Sequence, residues 1–69
     1  MPREKLWVTE NVPETNHLMY TITSNNERTR YYINDALGRR LDTADTPLKF
    51  EKRIARMRAI NRRRYGDAR

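Results

Sequence analysis

The stretch NHLMYTITSNNERTRYYIND, residues 16–35, constrains the fold more than any other part of the chain. Leu18, Tyr20 and Ile22 alternate with Met19, Thr21 and Thr23, and Tyr31 and Ile33 alternate with Arg30, Tyr32 and Asn34. A period of two places each set on one side of a strand. The SNNE between them is turn chemistry, because Asn tolerates the positive φ of a tight hairpin. With Asn25 and Asn26 as a two-residue turn, Ile22 faces Thr29, Tyr20 faces Tyr31 and Leu18 faces Ile33. Both apolar sets then share one face. A slip of one residue would separate them, so the sequence predicts this register.

The flanking segments extend the pattern. In NDALGRRLDT, Gly38 suits the left-handed position of a three-residue loop, which pairs Asp35 with Arg39 and sets Ile33 opposite Leu41. KLWVTE is a short extended run ended by NVPETN, where Pro13 favours a loop, and it is a candidate fourth strand. DTPLKFEKRIARMRAINRRRYG reads as a helix, with Thr46 as N-cap, Pro47 in the first position and Gly66 as the stop. Phe50, Ile54, Met57, Ile60 and Tyr65 fall in a stripe roughly 140° wide that should cover the apolar face of the sheet. The expected fold is a small two-layer α+β domain. It has a three-stranded antiparallel β-meander, with residues 5–9 as a candidate fourth strand, packed on one C-terminal basic amphipathic helix. The strands are expected at about 5–9, 17–23, 28–34 and 39–43 and the helix at about 47–65. These make a single domain over 1–66, followed by a frayed basic tail at 66–69.

A chain of 69 residues supports only a thin core, and without cysteine it has no disulfide or thiolate zinc site to help. No apolar run is long enough to span a membrane, and MPREKLWVTENVPE has acids where a leader would be apolar. A soluble, cytoplasmic (intracellular) protein is expected.

Charge is the strongest functional signal. Residues 49–69 carry nine Lys/Arg against two Asp/Glu, net +7, whereas residues 1–48 carry six against seven, net −1, so the total of +6 lies in the last third. Such asymmetry points to nucleic acid or another anionic partner. A helix face kept charged for solubility usually mixes both signs. Here Arg outnumbers Lys seven to two from residue 49 on, and the planar guanidinium can engage one phosphate twice. Lys49, Lys52, Arg56 and Arg63 recur along one ribbon with Arg53 at its edge, while Arg58 and Arg62 lie on the other flank near Glu51. These residues, with Arg64, are the candidate phosphate contacts.

The outer face of the expected sheet offers a second candidate. It carries His17, Met19, Thr21, Thr23, Arg28, Arg30, Tyr32, Asn34 and Arg40, with Met19 opposite Tyr32 and Thr21 opposite Arg30. Aromatic and Arg side chains on an open sheet can stack on bases and neutralise phosphates, so Arg28, Arg30 and Tyr32 join the candidate set. The competing reading is an ordinary solvent face, with Tyr serving strand propensity. Trp7 either packs over the end of the core or anchors a protein partner. His17 has no Cys or second His beside it, so no metal is expected. Asp35, Asp42 and Asp45 suit turns and caps. No nucleophile–base set and no phosphate-binding Gly loop is present, so neither an enzyme nor a cofactor nor a small-molecule substrate is expected.

The strand–strand–strand–helix order over residues 17–64, with its basic surface, resembles the small arm-type DNA-binding domains of tyrosine recombinases. The resemblance lies in that pattern and in no motif, and no residue role is transferred on it. It implies a sheet that enters the major groove.

Three functions fit the sequence. The first is a small nucleic-acid-binding regulatory module, for DNA or RNA, that neutralises phosphates with the C-terminal helix. The second is a phage-type regulator of transcription that docks on a host protein such as RNA polymerase through the sheet edge, or through Trp7 with the N-terminal strand, with the basic helix in an acidic or nucleic-acid channel. The third is a ribosome-associated basic protein.

Overall fold

Four antiparallel strands stand side by side in chain order: β1 (Lys5–Val12), β2 (His17–Ser24), β3 (Tyr31–Asp35) and β4 (Arg40–Ala44). A computed structural model describes residues 4–12 and 15–66. Pro13, the side chain of Tyr65 and the tail beyond Gly66 lie outside the described residues. The α+β architecture is the expected one, and the candidate N-terminal strand is a full member of the sheet, pairing with β2 along its length.

The central hairpin keeps the expected faces but not the expected register. Tyr20 pairs with Asp35, Ile22 with Ile33 and Ser24 with Tyr31, a displacement of four residues along β3. Asn25 is the cause. Its Oδ1 accepts the N–H groups of Thr29 and Arg30 at 2.9 and 3.2 Å, and its Nδ2 donates to Thr29 Oγ1 at 2.9 Å. The backbone N–H of Asn25 donates to the Arg30 carbonyl at 3.1 Å, and Arg28 takes φ 58°. The Asn side chain thus organises a wider loop in place of a two-residue turn. An even displacement leaves Tyr20, Ile22, Tyr31 and Ile33 on their expected face. Arg28 and Arg30 are therefore loop residues, not strand residues opposite β2, and Thr21 meets Asn34 while Thr23 meets Tyr32.

Gly38 is left-handed at φ 83°, donating to the Asp35 carbonyl at 3.0 Å, and Asp35 closes the loop with Arg39 as expected. The ladder then slips by one, so Ile33 faces Asp42 rather than Leu41. A second irregularity corrects the reading of β2. Glu10 pairs with Tyr20 and Asn11 with Leu18, which makes Met19 the bulged residue. Met19 turns into the core at 7% exposure, and Leu18, expected there, is 37% exposed.

The helical segment begins at the expected cap, where Thr46 Oγ1 accepts the Leu48 N–H and Pro47 opens the first turn. A 3₁₀ turn (Pro47–Phe50) leads into α1 (Glu51–Asn61), and a π-turn continues through Arg62–Gly66. Phe50 is fully buried against Val12, Met19, Tyr20, Ile22, Tyr31 and Ile33, with Ile54 and Met57 half-buried beside this core.

Beyond Met57 the apolar stripe loses its cover, and Ile60 is 46% exposed. Geometry explains this. The first turn of the segment meets β3 and β4, and Arg58 reaches Glu10 on β1, so the helix crosses the strands toward the β1 edge. Three strand spacings span about 14 Å, and eight helical residues rise about 12 Å. By Arg58 the helix has used up the width of the sheet, and its last turns overhang the edge. The molecule is accordingly long, 45 × 20 × 15 Å, with a radius of gyration of 13.0 Å against about 11 Å for a compact domain of this length.

Candidate nucleic-acid interface

The helical spacing divides the cations of the segment into three groups with different surroundings. Arg58 points back to the sheet, where its Nε and Nη2 donate to the two carboxylate oxygens of Glu10 at 2.8 and 2.7 Å. Tyr20 Oη donates to the same carboxylate at 2.8 Å. This flank of the helix spends its charge on holding α1 over β1.

On the opposite flank, Lys49, Lys52, Arg53 and Arg56 line a cleft of about 190 Å³ whose other wall is Asp42 of β4. Positions i, i+3, i+4 and i+7 fall on one helical face, and Asp42 sits on the same side of the sheet as its partner Ile33. Asp45 pairs with Lys49 at 3.0 Å, and Asp42 stands 4.0 Å from Arg53. Among the described residues, Lys52 and Arg56 meet no carboxylate. Four cations and one lining acid leave the cleft strongly positive.

Arg62, Arg63 and Arg64 form the third group, exposed on the overhanging π-turn. They extend the positive surface past the edge of the sheet.

The outer face of the sheet is more occupied than the sequence suggests. The Arg40 guanidinium lies 4.0 Å from the centre of the Tyr32 ring, and Glu4 pairs with Arg40 while accepting from Thr23 Oγ1 at 2.7 Å. Asn34, 8% exposed, donates to Thr21 and Thr23. Tyr32 is therefore covered by a cation rather than open for stacking. Arg30 is exposed in the loop before β3. Trp7 is the extra residue where the β1–β2 register shifts; it meets Tyr31 edge-to-face at 5.7 Å and carries the Arg28 guanidinium at 5.2 Å from its ring centre. It is 44% exposed, half packed on the core and half free.

The acids are tuned by these contacts. The hydrogen bonds from Arg58 hold the Glu10 carboxyl below its ordinary 4.5, against the opposing pull of burial. Burial, then the hydrogen bond to Glu10, pushes the Tyr20 phenol up to about 12. Thr23 and then Arg40 lower Glu4, the backbone N–H of Arg39 lowers Asp35, and Lys49 lowers Asp45. Asp35 fills the turn role expected of it, accepting from the N–H groups of Leu37 and Arg39 at 3.0 and 2.8 Å.

Glu10 is a site residue that the sequence did not single out, and Asp42, expected to serve a turn or cap, stands instead within β4 and lines the cleft. A signal existed for Glu10, an acid between Val8 and Val12 at an inward-facing strand position. Asp42 had none, because its place depends on the slip in the β3–β4 ladder.

Among the described residues no group of His, Cys, Asp and Glu is arranged to hold a metal ion, and no helix is long and apolar enough to cross a membrane. No family model matches the chain, and neither the curated proteins nor the solved structures yield a match.

Proposed function

We propose that this protein is a small nucleic-acid-binding module that contacts the phosphate backbone with its C-terminal helix. The observation that carries the reading is the segregation of charge on that helix. One flank is neutralised by Glu10, while Lys49, Lys52, Arg53 and Arg56 gather in a cleft and Arg62–Arg64 project beyond the sheet. Cations placed for solubility alone have no reason to converge on a cleft. A concave positive surface concentrates anions because its low-dielectric walls focus the field. The covered Tyr32 and the tied Arg40 shift the weight of the reading from the sheet to the helix.

The test is a salt titration of binding to labelled duplex DNA and single-stranded RNA of equal length. Phosphate neutralisation releases counterions, so log K should fall linearly with log salt, with a slope of several units. A preference between the two polymers would name the substrate. A slope near zero, or no binding at low salt, sinks the reading.

One observation favours a protein partner as a second reading. Leu6 and Trp7 are 66% and 44% exposed on β1, an edge strand whose outer hydrogen-bonding side is unpaired within the sheet. Trp side chains in such positions often anchor interfaces. Tight, weakly salt-dependent retention of one protein, lost in a folded Trp7→Ala variant, would support it.

A further inference from the structure

We infer that the cleft between β4 and α1 is a discrete subsite for a single backbone phosphate, with Asp42 as its internal stand-in for the anion. The inference rests on the nucleic-acid reading above and narrows it from a charged surface to four named side chains.

The geometry of the cleft differs from that of the other cationic groups. Arg62–Arg64 are exposed on the last turn of the helical segment, and Arg58 is already engaged by a carboxylate. Lys49, Lys52, Arg53 and Arg56 converge on one space of about 190 Å³, room for several waters or for a phosphate group. Cations three and four apart on a helix repel one another. A bound anion removes that repulsion, whereas isolated surface cations gain little from one.

The existing counter-charges cover only part of the site. Asp45 holds Lys49 from the solvent side, both side chains being more than half exposed. Asp42 approaches Arg53 only to 4.0 Å, at the limit of an ion pair and too far for a hydrogen bond. Arg53 is thus oriented toward a negative charge without being satisfied by it. A phosphate entering the cleft can take two parallel hydrogen bonds from a guanidinium, from Arg53 or Arg56, with Lys52 as a point charge. Asp42 then repels the phosphate and sets the threshold for its entry. Removing the Asp42 charge should tighten binding, whereas an acid that merely positions Arg53 would loosen binding when removed.

The experiment follows the amide and Arg Nε–H resonances of the full chain during titration with inorganic phosphate, with sodium chloride at matched ionic strength as the control, and then with a short DNA duplex. Shifts should centre on Lys49, Lys52, Arg53 and Arg56 with phosphate and recur with duplex. Asp42→Asn should lower the phosphate Kd several-fold, and Lys52→Ala with Arg56→Ala should raise it about tenfold while the spectrum stays that of the folded protein. Phosphate shifts no larger than those with chloride, or a weaker Kd in Asp42→Asn, overturn the subsite. Duplex shifts confined to Arg62–Arg64 also overturn it and leave the nucleic-acid reading intact. Saturable phosphate binding in the cleft with no shift from duplex, nor from single-stranded RNA in a matching titration, overturns the backbone-phosphate subsite and the nucleic-acid reading together.

Discussion

Arg58 on α1 grips Glu10 on β1 through two hydrogen bonds of 2.8 and 2.7 Å, across 48 residues of sequence. Glu10 accepts a third bond from Tyr20, so one carboxylate joins helix, edge strand and core. The Arg58 side chain is 55% exposed, which limits the coupling through solvent screening to about 1 kcal/mol or less. A double-mutant cycle with Arg58→Ala and Glu10→Gln, read by urea denaturation, should return a coupling of that size. Additive single effects would mean that the helix is held by Phe50, Ile54 and Met57 alone.

Stability should depend on pH at both ends, through the Glu10 carboxylate held by Arg58 and through Tyr20, whose phenol is raised first by burial and then by its bond to Glu10. The Glu10 carboxyl lies below its ordinary 4.5 in the folded state, so its contribution is present above that value and fades as pH falls through the lowered one. The stability gap between the wild type and Glu10→Gln should therefore shrink on acidification below pH 4.5. Tyr20 titrates the other way. Its phenol is raised from 10.0 to about 12, so its contribution is complete below 10 and is lost as pH rises toward 12. Tyr20→Phe should remove most of the alkaline loss in that window, measured as the change in unfolding midpoint. An unchanged alkaline limb would show that Tyr20 is not the group responsible.

The overhang of the helix predicts a steep gradient of sensitivity along the segment. Phe50 is fully buried, and Phe50→Ala should cost about 3–5 kcal/mol, enough to unfold a domain of this size at room temperature. Ile60, on the same stripe but 46% exposed, should tolerate Ala with a change of about 0.5 kcal/mol or less. Circular dichroism of the two variants separates the cases. Equal losses would mean that the helix packs along its whole length.

That gradient marks where the sequence stopped being informative. Alternation at Tyr20, Ile22, Tyr31 and Ile33 fixed the inner face, and it survived a four-residue error in register because the error was even. The error arose because SNNE permits both a tight turn and the wider loop built by Asn25, and only the hydrogen bonds to Thr29 and Arg30 decide between them. Met19 and Leu18 could not be assigned correctly, since a bulge inverts alternation and leaves no mark in composition. The helical stripe was legible, but its cover was not. Whether Ile60 is buried depends on the width of the sheet, which the periodicity of the helix does not contain. For the same reason the basic ribbon was legible as a ribbon, while the cleft needed Asp42 from another element.

Gly38 offers a test of local chemistry independent of function. Its φ of 83° is a left-handed conformation, and a Cβ added there would meet no atom within 4 Å. Any cost of Gly38→Ala is thus conformational rather than steric crowding by the fold, and should be about 1–2 kcal/mol. Gly38→Asn should cost less, because Asn enters this region more readily. Thermal unfolding of both variants checks the order. A larger loss for Asn would place the strain elsewhere in the turn.

The division of the helix cations makes a final prediction about binding. Each phosphate neutralised on duplex DNA contributes about 0.9 to the slope of log K against log salt. Arg56 lines the cleft and meets no carboxylate among the described residues, so Arg56→Ala should reduce the magnitude of the slope, by no more than that amount because four cations share the one phosphate. Arg58 carries the same charge two residues away, but its guanidinium is committed to Glu10. Arg58→Ala should leave the slope unchanged while lowering stability, provided binding is measured where the variant is folded. The comparison holds formal charge constant, since both variants lose a single cation. Equal reductions in slope would mean that duplex senses the net charge of the helix and not its arrangement, and the case for a shaped phosphate contact would fail with it.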